Sequence, residues 1–249
     1  MASTSETGHP KNVANFEILV SRCIGFGATF NPSKANLKVP ALQTQLASCK
    51  INIASVTSTS VAFNNAVNAR MIAFDGLKKL STRLVNSLEV SGATSQIVKD
   101  IKTVNAKVQG SKLTKADAGI AKPIDPNAPI TDTPKTISAA QLSYSSLIEH
   151  FSKIITILTT EPTFVPNETE LKLVTLNTQL TNLKNVNTAV INAYTTVSNS
   201  RIARNQSLYN PTNGLITVAK EIKMYVKSVY GASSPQFKQI SGIEFKAVK

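Results

Sequence analysis

Tryptophan is absent from this 249-residue chain, and aromatic residues together make up only 6%. A core short of bulky rings has to be built from Leu, Ile, Val and Ala, which suits long helices packed side by side better than a β-sandwich. Two cysteines and two histidines are too few for a disulfide framework or a metal cage, which needs three or four convergent ligands. Acidic residues are scarce as well, 14 against 27 basic ones, leaving a net charge of +13 and a field that favours polyanions. No stretch is long and apolar enough to read as a membrane span. The opening Met1 to Lys11 is polar and lacks the apolar region of a secretory signal. The expected compartment is the cytoplasm, with export by a signal-less route left open.

What the chain does have is a repeat of itself. Shifted by 134 positions, residues 29–70 lie on 163–204 without a gap, with 14 identities in 42 positions. Thr29, Phe30, Pro32, Leu37, Leu42, Leu46, Val56, Ala69 and Arg70 are among those that recur. The register then slips slightly, so that Gly92, Ala93, Ser95, Lys99 and Ile101 answer to Gly231, Ala232, Ser234, Lys238 and Ile240. Self-similarity of this kind points to one unit copied once in tandem.

Each copy reads as helical. Pro40 suits a first helical turn. Leu42, Leu46, Cys49, Ile53, Val56, Ser60, Phe63, Val67 and Phe74 then follow at four-three spacing, the seam of a coiled-coil-like helix about 50 Å long. The second copy, from about Glu168 to Leu208, keeps the seam as Leu176, Leu180, Leu183, Asn187, Val190, Tyr194 and Val197. Asn187 either fixes register by meeting another polar group or lies at a wet edge. Shorter helices are expected around Val13–Cys23, Leu77–Leu88, Ile97–Val108, Tyr144–Leu158 and Leu215–Val229. Asn210-Pro211-Thr212-Asn213-Gly214 is a strong turn signal, and Phe237 to Val248 alternates as an extended segment does. The expected fold is all-α, a pseudo-symmetric antiparallel helical bundle from two tandem repeats with long heptad-patterned helices. Its expected parts are a flexible N-terminus (1–11), repeat 1 (12–109), a proline-rich linker (110–136) and repeat 2 (137–249) with an extended tail. Whether the repeats make one bundle or two domains stays open.

Chemistry is hard to find. His9 falls in the segment read as mobile, and His150 reads as a helix-surface residue beside Glu149 rather than part of a triad. Cys23 and Cys49 sit at apolar positions and read as buried free thiols, with a disulfide between them left open. Gly25-Phe26-Gly27 lacks the third glycine of a dinucleotide fingerprint, and no metal or cofactor is expected. The basic residues are the one lead. Arg70, Lys78, Lys79 and Arg83 flank the first interhelical turn, and Arg201, Arg204, Lys220, Lys223 and Lys227 occupy the matching region of the second copy. On a shared face they would neutralise phosphates, although stacking aromatics are nearly absent among them. A solvated basic face is the plainer reading.

The stretches Gly8-His9-Pro10-Lys11-Asn12-Val13-Ala14-Asn15-Phe16 and Leu208-Tyr209-Asn210-Pro211-Thr212-Asn213-Gly214 resemble those of a family of uncharacterised bacterial all-helical proteins with an internal tandem duplication. The resemblance implies a bacterial origin and carries no activity or site residue. In style, the long helices are also similar to alpha-type pore-forming toxins, whose apolar membrane hairpin this chain lacks. The expected function is a non-enzymatic scaffold, assembly or adaptor protein with a protein partner or self-association, and with no small-molecule substrate. The alternatives are binding of nucleic acid or an acidic membrane surface through the basic face, and a pore-forming toxin component.

Overall fold

A computed structural model describes residues 8–110 and 142–247, and they form a multi-helix, all-α bundle. The helices are α1 (Gly8–Gly25), α2 (Val39–Phe74), α3 (Leu77–Glu89), α4 (Ser95–Gln109), α5 (Tyr144–Thr159), α6 (Leu173–Tyr209), α7 (Leu215–Tyr230) and α8 (Pro235–Ser241). Short 3-10 turns at Ala35–Leu37 and Thr169–Leu171 stand immediately before the two long helices. Most of the proline-rich segment assigned to 110–136 lies outside the described residues.

Helix boundaries follow local chemistry. Thr94 caps α4 by accepting from the backbone N–H of Ile97, and Ser143 and Ser234 do the same for α5 and α8. Pro235 adds a pre-set φ at the first position of α8. Gly110 ends α4 at φ 77°, where a Cβ would also lie 2.9 Å from Leu142 Cδ1. Between α6 and α7 the chain turns so tightly that a Cβ on Gly214 would meet Asn210 N at 2.5 Å. Asn210 stabilises that turn by accepting from the N–H groups of Thr212 and Asn213 through its side chain.

The chain divides into two compact units, residues 1–65 with 192–249, and residues 66–191. Each therefore draws on both halves of the sequence. The first unit packs α1, the start of α2, the end of α6, α7 and α8 around Phe16, Leu19, Leu42, Cys49, Leu208, Leu215 and Ile222. The second packs the end of α2, α3, α4, α5 and the start of α6 around Leu77, Leu84, Ile101, Phe151, Leu176 and Leu183. Matching positions carry matching burial. Phe30, Leu37, Leu42, Cys49 and Val56 are buried, as are Phe164, Leu171, Leu176, Leu183 and Val190 at the 134-residue offset. The turns before the long helices recur at the same offset, with near-identical backbone at Lys34 and Glu168 (φ −71°, ψ 119° and φ −67°, ψ 121°). Each unit so fills its centre with aliphatic side chains, which is where most of the folding free energy of such a bundle arises.

Four expectations need correcting. The first helix begins at Gly8, inside the segment read as flexible, because His9 and Asn12 are buried polar residues with fixed partners. The second long helix begins at Leu173 rather than near Glu168, the intervening residues forming the 3-10 turn. Seam residue Tyr194 is 62% exposed, its ring tilted against Phe63 at 5.9 Å. In the tail, Pro235–Ser241 is helical, and only the following residues to 247 are irregular.

Candidate functional site

The nine basic residues singled out in the sequence fall into two groups, four in the second unit and five in the first. In the second unit, Arg70 is half-buried. Its guanidinium lies 4.0 Å over the Tyr144 ring and donates to Asn187 Oδ1 at 3.1 Å. Asn187 thus meets a polar group, the first of the two roles open to it. Lys78 donates to the Gln109 carbonyl at the end of α4, where a cation is favoured by the free carbonyls of a helix C-terminus. Arg83 pairs with Glu170 at 2.6 Å in an exposed ion pair, worth little by itself. Lys79 is exposed.

In the first unit, Arg204 is 5% exposed and bonds Asn205 Oδ1 through Nε and Nη2. Lys223 reaches the carbonyls of Ser241 and Ile243 and lies 5.9 Å from the Phe245 ring. Burial holds its ammonium below the ordinary lysine range, with Glu244 partly opposing. Lys227 lies 6.0 Å from Phe237, while Arg201, Lys220 and Lys227 are exposed. Arg70, Lys78, Arg83, Arg204, Lys223 and Lys227 thus have intramolecular contacts within their own unit.

Two buried polar features escaped the sequence reading. The first is a seat on α1. His9 Nδ1 and Tyr209 Oη are 2.6 Å apart, and Asn12 and Asn15 bond the backbone of the C-terminal segment. The segments around His9 and Asn12 and around Tyr209 meet here. The second is His150, which is 1% exposed rather than on the helix surface, and neither of its ring nitrogens has a hydrogen-bond partner. Burial, with Lys107 nearby, keeps it below the ordinary histidine range, so the neutral ring is favoured. Its neighbour Glu149 is turned to Lys153, whose hydrogen bond lowers the carboxyl.

Cys23 and Cys49 are free and buried in the first unit. Among the described residues, no group of three or more His, Cys, Asp or Glu could hold a metal ion. Among them also, no helix is long and apolar enough to cross a membrane. No family model, no curated protein and no solved structure matches this chain.

Proposed function

We propose that the protein is a tandemly duplicated, pseudo-symmetric helical bundle with heptad-patterned long helices, and that it works without catalysis, as a scaffold or assembly protein presenting helical faces to a protein partner. One observation carries this reading. The 36 residues of α2 and the 37 of α6 contain no carboxylate and only five basic residues, Lys50, Arg70, Lys184, Arg201 and Arg204. Long helices bathed in water are ordinarily dressed in opposite charges at four-residue spacing.

Here the exposed positions are mostly aliphatic, small, hydroxylated or amide-bearing. Ile51, Ala54, Ser58 and Val61 follow one another at three- and four-residue steps, all exposed, in the first unit. In the second unit, Ile72 and Val174 are largely exposed. The hydroxyls of Thr178 and Thr181 donate back to the carbonyls of Val174 and Asn177, and Thr57 bonds Ile53 in the same way. A hydroxyl satisfied by its own helix turns its methyl outward and loses little on dehydration. Short Thr, Asn and Ala side chains also lose less entropy than Lys or Glu when covered. Both effects lower the cost of docking, and depletion of charge is what marks the centre of protein interfaces.

The test is sedimentation over a concentration series, together with capture of partners by the tagged chain. Ile51→Lys with Val61→Lys should abolish capture of the partner while leaving the helical circular dichroism unchanged. A strict monomer that captures nothing would refute the reading.

A further inference from the structure

The residues after α8 form an arm whose attachment to α1 is almost entirely through backbone atoms. Asn12 is 3% exposed, and its amide makes a two-way bond with one residue of the arm. Its Nδ2 donates to the Lys246 carbonyl at 2.7 Å, and its Oδ1 accepts from the Lys246 N–H at 3.0 Å. One turn further along α1, Asn15 Nδ2 donates to the Glu244 carbonyl at 2.7 Å. Lys223 on α7 donates to the carbonyls of Ser241 and Ile243. Between these bonds, Ile243 and Phe245 turn onto the core of the first unit, while Glu244 and Lys246 face outward. Alternating side chains over a ladder of main-chain bonds is how an extended peptide is held at a strand edge, with the backbone giving affinity and the alternate pockets specificity. Here side-chain amides of a helix take the place of the strand.

The seat is preorganised: Tyr209 Oη lies 3.4 Å from Asn12 Nδ2, and 2.6 Å from His9. An empty seat is unfavourable, because the buried Asn12 amide would lose both of its bonds to Lys246. The tether between α8 and the arm is Gly242, around which there is open space.

We propose that residues 243–247 are an exchangeable arm, and that the seat formed by Asn12, Asn15 and Lys223 takes the same arm from a second copy of this chain. Each bond to residues 243–247 can be remade when the arm comes from another copy, so cis and trans attachment differ chiefly in effective concentration. The tethered arm has the advantage of millimolar order in dilute solution, and reciprocal exchange gives a closed two-fold dimer when the chain is concentrated. The proposal needs only contacts within the first unit and does not rest on the docking faces of α2 and α6.

The experiment mixes two differently tagged preparations of the full chain at high concentration, dilutes them and captures one tag. The other tag is expected to be co-captured, with the amount falling at least tenfold in a chain ending at Gly242. Ile51→Lys should leave it unchanged, which separates exchange from docking of helical faces. In a second measurement, the chain is cut at a protease site placed after Ser241 and titrated with a labelled peptide of residues 242–247. Saturable binding is expected, lost when serine replaces the residues at 243 and 245. Absence of mixed species from the intact chain, or co-capture undiminished in a chain ending at Gly242, overturns the proposal, whether or not the cut chain stays folded.

Discussion

Replacing His150 with leucine should stabilise the protein at neutral pH and do so more strongly in acid. A neutral imidazole carries one donor and one acceptor, and both nitrogens of His150 are buried without a partner. Each such group costs about 1–3 kcal/mol. Leucine removes both, about 2–6 kcal/mol together, against a shape penalty below about 1.5 kcal/mol, so a net gain of at least about 0.5 kcal/mol is expected near pH 8. The pH dependence has a definite sign. Burial first, and Lys107 second, lower the pKa of His150 from its ordinary 6.5, with Glu149 opposing. Lys153 on the same helix adds to the lowering, and no charge from α3 takes part. The unfolded chain therefore takes up a proton that the folded chain resists. Stability is complete above the unfolded value and declines as pH falls through it towards the folded value. A folded state that took no proton would lose at most about 2 kcal/mol by about pH 5. The leucine variant lacks this loss, so the gap between the two proteins should widen on acidification. Urea unfolding followed by circular dichroism at about pH 8, 6.5 and 5 measures it. A gap that stays constant or narrows refutes the reasoning.

Two further outcomes follow from the same geometry. Burial raises the thiol of Cys49 and pushes that of Cys23 to about 12. Since only the thiolate reacts, a disulfide reagent at about pH 8 should leave both unlabelled in the folded chain and label both in urea. Rapid labelling of the native protein would contradict the burial. Arg70→Lys should cost about 1–2 kcal/mol in urea unfolding, because an ammonium cannot lie flat on Tyr144 and reach Asn187 together. A variant as stable as the parent would show that the stack contributes nothing.

Much of this was open to reading from the residues, and the failures have a common cause. Periodicity located α2, because Leu42, Cys49 and Val56 are apolar on a buried line. The same line runs on through Phe63, Val67, Arg70 and Phe74, so Arg70 occupies a seam position and its half-burial follows from spacing. Arg204, at the matching place after Val197, is buried for the same reason. Grouping these arginines with Lys78 and Lys220 by charge concealed that. His150 sits beside Phe151 and three residues after Leu147, again on the inward side of its helix; its chemistry suggested the surface where its position did not. The alternation after Phe237 was genuine from Ile243 to Lys246, although the partner is a pair of asparagines rather than a strand. His9 and Asn12 gave no hydropathy signal at all. A polar side chain is cheap to bury only when a distant group satisfies it, and here the partners are 200 and 234 residues away.

The composition of the two cores explains why a repeat visible in sequence is not a unit of folding. The first core takes Phe16, Leu42 and Cys49 from the N-terminal half and Leu208, Leu215 and Ile240 from the C-terminal half. The second takes Leu77, Leu84 and Ile101 from the N-terminal half and Phe151, Leu176 and Leu183 from the C-terminal half. Either half alone would leave two partial cores, each short of several fully buried side chains. Losing even one such side chain costs about 2–5 kcal/mol, against a typical stability of about 5–15 kcal/mol for a whole domain. Under the duplication proposed above, the ancestral half could bury its apolar faces only against a second copy. Joining two halves in one chain turns that association into an intramolecular one, and with two copies of each position only one of each pair has to keep a given side chain. Cys49 opposite Leu183, and Asn15 opposite His150 where α1 and α5 align on Phe16 and Phe151, are two of the places where the halves carry different chemistry. The exposed Ser, Thr and Ala faces of the long helices are then what an ancestor that lived by association would pass on.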